Sequence, residues 1–246
     1  MQITELAQIF AKWVNENQGV LSVALFLITA TFGVISWIFS SLRRKPIFEI
    51  STIAGPTFCC TYLTGNKHYE YDAHQTGIAI YLVITNIGSA PSSIKSIAIG
   101  YHWDLTPWSI IWLKNSVGWF WLNNQAVALT DFQVSIGDSI KVYPFLTQKN
   151  YLSPANQTHF IEIGQSTNGV VYFEQPESWG GCYPKVQNKL VNIKVRVTDV
   201  FGKQHTTKVQ IPSVSFEEAR KYNPEFGNTF SKINGSACPN TGVENI

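Results

Sequence analysis

The densest group of side chains able to do chemistry is His68-Tyr69-Glu70-Tyr71-Asp72-Ala73-His74. Imidazoles and carboxylates are the ligand types that hold zinc and related divalent ions. Side chains alternate along an extended strand, so His68, Glu70, Asp72 and His74 would share one face. Alternate positions stand about 6.6–7 Å apart, too far for all four to reach one ion. Two of them could, with help from elsewhere in the chain. The favoured expectation is a polar hairpin between Leu63 and Gly77, with no metal and no cofactor.

Other motifs carry less. Gly137-Asp138-Ser139 resembles the nucleophile block of some esterases. That block should open an α/β domain, and the helices it needs are missing, so a turn entering a strand is expected. In Gly164-Gln165-Ser166-Thr167-Asn168-Gly169 the second glycine falls one residue late for a nucleophile elbow. There is no phosphate-binding loop and no dinucleotide fingerprint. His102, His159 and His205 are scattered and read as structural. No residue is assigned a catalytic role, and the expectation is a non-enzymatic protein.

The four cysteines are Cys59, Cys60, Cys182 and Cys238. Adjacent cysteines rarely meet disulfide geometry, and on one strand Cys59 and Cys60 would point to opposite faces. No C-x-x-C spacing supports a zinc knuckle. Formal charge is +2 over 246 residues, too small to argue for nucleic acid, and no basic run interleaves with aromatics. Only 14% of residues are charged, against roughly 25% in soluble domains.

These residues need elements to hold them. The first is a membrane segment. Val20 to Phe39 contains no charge, and as a helix it would rise about 30 Å, the thickness of a hydrocarbon core. Trp13 and Trp37 sit near its ends, where indoles prefer the headgroup region. Ile3, Leu6, Ile9, Phe10, Trp13 and Val14 recur at helical spacing before it, which predicts a short interfacial helix. Arg43, Arg44 and Lys45 follow it, against Lys12 and the terminal amine before it. The positive-inside rule then puts the following domain in the cytoplasm and the N-terminus outside. The sequons at Asn156 and Asn234 point the other way but arise easily by chance in such a chain. The expected organisation is an amphipathic segment at 1–18, a single transmembrane helix at 19–42, a basic linker at 43–47, a β domain at 48–233 and a tail at 234–246.

Beyond Pro46 the periodicity becomes strand-like. Strands are predicted at 48–53, 58–63, 77–85, 94–101, 139–145, 159–163, 169–173, 190–197 and 206–211. The run Gly77–Thr85 is apolar on both faces, as a central strand should be. Residues 159–163 and 169–173 are expected to pair around Gly164. Val191, Ile193, Val195 and Val197 alternate with polar residues and read as half-buried. Ser215-Phe216-Glu217-Glu218 is a capping box opening a short helix that Pro224 ends. Many short strands and little helix argue for an antiparallel sandwich. The segment Ile84-Thr85-Asn86-Ile87-Gly88-Ser89-Ala90-Pro91, continuing to Ile97, resembles the strand–Asn-x-Gly–turn of immunoglobulin-like sandwiches, which implies that fold class and no particular activity.

Five of the eight tryptophans fall in one stretch: Trp103, Trp108, Trp112, Trp119 and Trp121. With Thr106-Pro107 as a helix start, this reads as a Trp-rich insertion between strands. It either caps the core or contacts the membrane, a protein partner or a second copy. The whole is therefore expected to be a membrane-anchored β-sandwich acting as a binding or assembly module of a bacterial membrane-associated system. Its partners would be the lipid bilayer and a protein partner or homo-oligomer. Two rivals stand beside it: a membrane effector of a bacterial immune system, in which sensing by the β domain clusters the helices, and a metal-dependent enzyme using His68 or His74.

Overall fold

The computed structural model describes residues 3–105, 108–110, 112–113, 118–147 and 160–228. The expected helix start at Thr106-Pro107, His159, both sequons, Cys238 and the tail from Asn234 lie outside the described residues. The chain divides into two compact units between Lys45 and Pro46.

The first unit holds α1 (Ile3–Glu16) and α2 (Gln18–Arg43). Asn17 separates them, and its Nδ2 donates to the Trp13 carbonyl at 2.9 Å. The stretch Gln18–Phe39 is 22 residues long and apolar enough to cross a membrane, and none of it is buried by the chain. Three of its hydroxyls are satisfied from within: Ser22, Thr29 and Thr31 donate to carbonyls four residues earlier at 2.8, 2.7 and 2.7 Å, as side-chain hydroxyls do in an apolar helix. Trp37 is among the most exposed side chains of α2, and Trp13 of α1 is half exposed.

The second unit is mainly β and antiparallel. Its first sheet is built on β3 (Tyr71–Asn86), a strand of 16 residues. β1 (Phe48–Thr52) and β2 (Phe58–His68) pair along one edge of β3, and β9 (Ser166–Glu174) and β10 (Ser178–Trp179) along the other. The second sheet centres on β12 (Leu190–Asp199), paired with β13 (Gln204–Pro212) on one edge and with β4 (Ser92–Tyr101) and β11 (Val186–Gln187) on the other. β5 (Phe120–Leu122) and β8 (Phe160–Ile161) complete the far edge of β4. β6 (Phe132–Ile136) and β7 (Ser139–Tyr143) form a separate hairpin.

One face of each sheet supplies a shared core. Ile78, Ile80, Leu82 and Ile84 of β3 cluster with Ile97 and Ile99 of β4 and with Val191, Ile193, Val195 and Val197 of β12. The opposite face of the first sheet is also covered. Ala79, Tyr81, Val170 and Tyr172 pack with Phe132 and Tyr143 of the β6–β7 hairpin and with Ala219 and Phe226. This second layer explains the continuous apolar run of β3: both of its faces are dry. It also explains the cysteine pair. Cys59 points into the first cluster and Cys60 into the second, and both are buried.

The last helix, α3 (Phe216–Tyr222), has the capping box in full. The Ser215 Oγ accepts from the Glu218 amide, and the Glu218 carboxylate accepts from the Ser215 amide. Phe216 packs on Tyr62 in a tilted contact with ring centres 4.7 Å apart, which holds α3 against β2.

One pairing differs from expectation. Residues 160–161 and 166–174 do not form a hairpin around Gly164; β8 joins β4 in one sheet and β9 joins β3 in the other. Gly164 takes a φ of +76°, and its amide donates to the Asn86 carbonyl at 2.8 Å while the Asn86 amide donates to the Gln165 carbonyl at 3.0 Å. The tight turn is clamped on Asn86 and passes the chain from one sheet to the other.

Candidate functional site

The His68–His74 segment is folded as the tip of the β2–β3 hairpin, not as one extended strand. Tyr69 and Glu70 form the turn, with Tyr69 at a φ of +55°. His68 therefore sits on β2, opposite Tyr71, while Asp72 and His74 sit on β3. His68 stacks on Trp179 at 3.9 Å. Asp72 meets Lys67 at 4.0 Å. His74 is buried, its Nε2 bonding the Gly180 carbonyl at 2.9 Å and its Nδ1 the Ser178 hydroxyl at 3.2 Å. Both ring nitrogens of His74 are thus engaged in structure, and a single shared face of four ligands does not exist. Among the described residues no three His, Cys, Asp or Glu side chains gather to hold a metal ion.

The tryptophans mark a richer place. They lie at the end of the second sheet where β4 finishes and β12 begins. Trp103 is half-buried and packs on the main core beside Phe120, ring centres 4.6 Å apart. Residues 102–105 then run against 183–185: the Lys185 amide donates to the His102 carbonyl and the Asp104 amide to the Tyr183 carbonyl, both at 2.9 Å. Gly181 passes so close to the Asp104 carbonyl that no side chain fits there.

These contacts frame a cavity of about 270 Å³. Trp103 and Trp112 supply indole walls, and His102, Lys185, Gln187 and Asn192 supply polar groups. The His102 Nδ1 is buried and has no hydrogen-bond partner among the described residues. An aromatic pocket with a few convergent polar groups is the usual form of a binding site.

A cationic aromatic face continues from the cavity. His102 lies against Trp119, ring centres 4.3 Å apart. Lys194 and Lys208 stand over Trp119 at 5.7 and 5.9 Å. Arg196 stands over Trp121 at 4.0 Å and donates to the Asn123 side-chain Oδ1 at 2.9 Å. The register makes this possible: Trp121 and Lys194 both pair with Gly100, which leaves room for the indole to lie on the strand. Cation–π contacts at such half-wet positions contribute about 0.5–1 kcal/mol each. Among the described residues no ion pair involves Lys194, Arg196 or Lys208.

Beneath this end a buried polar network ties the sheets together. The Tyr101 hydroxyl donates to the Gln175 side-chain Oε1 at 2.5 Å, and the Gln175 Nε2 donates to the Ser178 hydroxyl at 2.9 Å and to the Cys182 carbonyl at 2.6 Å. Burial pushes the Tyr101 hydroxyl far above the usual tyrosine range. It therefore acts as a fixed donor.

The described tryptophans thus divide by role. Trp103 packs on the core, Trp119 and Trp121 carry the cationic face, Trp112 lines the cavity, and Trp108 stands exposed at a φ of +67°. The sequence pointed to the tryptophans but not to Lys194, Arg196 and Lys208. Their signal was the polar positions of β12 and β13, where Lys194 pairs with Lys208, which read as an ordinary solvated face until Trp119 and Trp121 are placed beneath them. Gly137-Asp138-Ser139 is the β6–β7 turn, with Gly137 at a φ of +59°. Neither a model of a known protein family nor a curated protein sequence matches the chain.

Proposed function

We propose that the protein is a single-pass, membrane-anchored binding module whose β unit is an immunoglobulin-like sandwich with a Trp-rich insertion. The observation that carries the anchor is α2: apolar side chains such as Phe26, Phe32 and Trp37 are exposed at 71, 66 and 73%, a surface that water does not tolerate over 22 residues and lipid does. The basic residues Arg43, Arg44 and Lys45 after it favour a cytoplasmic β unit.

The binding face is the cavity at Trp103 and Trp112 together with Lys194, Arg196 and Lys208. Unpaired cations over indoles suit an acidic protein surface, with charge giving association rate and the aromatics giving affinity.

The test is membrane retention and topology of the full chain. Alkaline carbonate should leave it in the pellet, and a reporter fused after Ile246 should be active in the cytoplasm. Release by carbonate would sink the anchor, and an external reporter signal would reverse the orientation.

A further inference from the structure

The end of the β unit where the chain joins it from α2 is assembled from four separate segments. Ile47 precedes β1, Ile87 follows β3, Ile163 lies between β8 and β9, and Val200 and Phe201 form the β12–β13 turn. All five side chains are exposed, at 44, 57, 56, 50 and 71%. Hydrogen bonds hold their backbones together. The Ile87 amide donates to the Ile47 carbonyl at 2.9 Å, the Val200 amide to the Ser93 carbonyl at 3.2 Å, and the Gly164 amide to the Asn86 carbonyl at 2.8 Å. Lys203 reaches the Pro46 carbonyl at 3.5 Å. The rim is rigid, since Asp199 beneath it accepts from the Phe201 and Lys203 amides at 2.9 Å each.

An apolar rim fed by four segments is not what a domain end facing water displays. We infer that this rim rests in the headgroup region of the bilayer that α2 crosses, with Phe201 and Ile87 as its inserted side chains. The inference rests on the anchor reading above. Three features select the bilayer as occupant. Only Arg44 and Lys45 separate the end of α2 from the unit that begins at Pro46, so the rim cannot stray far from the membrane surface. Lys203 reaches the carbonyl of Pro46, the residue that directly follows Arg44 and Lys45 in the chain, and cations at this end match anionic lipid. Glu162 is the exposed carboxylate next to Ile163 and lies at the same end. The third feature is position. β4 runs from Ser92 at the rim to Tyr101 at the tryptophan end, and its length, about 30 Å, would hold Trp103 and the cavity away from the lipid and open to a partner.

The experiment uses the full chain in vesicles of phosphatidylcholine with phosphatidylglycerol. A benzophenone amino acid is placed singly at Phe201, Ile87, Trp108 or Phe32, and lipid adducts are counted by mass after irradiation. Phe201 and Ile87 are exposed, so the probe leaves the core intact. The expected result is several-fold more adduct at 201 and 87 than at 108, with yield falling when phosphatidylglycerol is omitted. Labelling at 32 with 201 no higher than 108 would overturn the rim and leave the anchor standing. No labelling at 32 would overturn the anchor and the rim with it.

Discussion

His205 donates from Nε2 to the Asp199 carboxylate at 3.1 Å while its Nδ1 accepts the Phe48 amide at 3.2 Å. The amide fixes the tautomer, because a nitrogen that accepts cannot carry the proton. His205 thereby ties the first strand after α2 to the β12–β13 turn. Asp199 is fully buried and takes three donors: the amides of Phe201 and Lys203 and the His205 ring. Asp199→Ala leaves all three unpartnered. The expected loss is about 2–4 kcal/mol, a fall in Tm of roughly 4–16 °C, read by near-ultraviolet circular dichroism. A melt unchanged from wild type would show that the network contributes nothing.

Burial pushes the Cys60 thiol up to about 12 and Cys59 higher still. The unfolded chain ionises these thiols near the ordinary value of 9.0, whereas the folded chain keeps them neutral. Their contribution to stability is therefore complete below about pH 9 and lost as pH rises from there towards the folded values. Urea midpoints should fall between pH 9 and 11, and Cys60→Ala should flatten that fall. In the folded protein at pH 8, mass mapping of alkylation should find Cys182 modified before Cys59 or Cys60, because Cys182 is only half buried. Its own thiol is also raised by burial, so its rate should still climb with pH.

A methyl group at Gly181 would collide with the Asp104 carbonyl. Backbone cannot swing aside as a side chain can, so Gly181→Ala should part residues 102–105 from 183–185 at a cost of about 1–3 kcal/mol. The main core is elsewhere and should survive. Amide exchange would quicken at Asp104 and Lys185, while Val195 and Ile80 stay protected. Equal loss of protection in both places would mean the cavity frame and the core are one cooperative unit.

Ser215→Ala removes the oxygen that accepts the Glu218 amide. A lost N-cap costs about 1 kcal/mol. The effect should centre on α3 and on Phe226 and Tyr62, which it shields. Tyr62 itself is held far above the usual tyrosine range, by burial first and by the Glu174 charge next. Exchange protection lost along β12 instead of β2 would contradict this placement.

Much of this was legible from residue order. The β12–β13 hairpin follows from strict alternation, because a strand with one wet face must alternate. The capping box announced α3, because its chemistry is local. The apolar run of β3 announced a strand covered on both faces, but not what covers it. The β6–β7 hairpin does that, and β6 is short and lacks a strong pattern, so periodicity passed over it. β3 also extends to Tyr71 through polar residues, since Asp72 and His74 to Thr76 pair with β2, and Ala73 and His74 with β10. The His68–His74 row failed as a ligand face because a two-residue turn interrupts it. That turn carries no glycine at Tyr69, where a positive φ is uncommon. The cationic face escaped notice because its tryptophans and its lysines are brought together only by the register of β4 with β5 and β12.

The long strand β3 has a consequence for how the protein is made. Its partner β9 ends at Glu174, so the first sheet cannot close until that residue has left the ribosome. α2 is complete long before. Through that interval the apolar run Gly77–Thr85 has β1 and β2 along one edge and nothing along the other. On the anchor reading proposed above, tethering at the membrane keeps one nascent chain apart from its neighbours while the second edge waits. A cell making the β unit untethered should depend more heavily on chaperones that cover exposed strands, and should accumulate more aggregate when they are depleted.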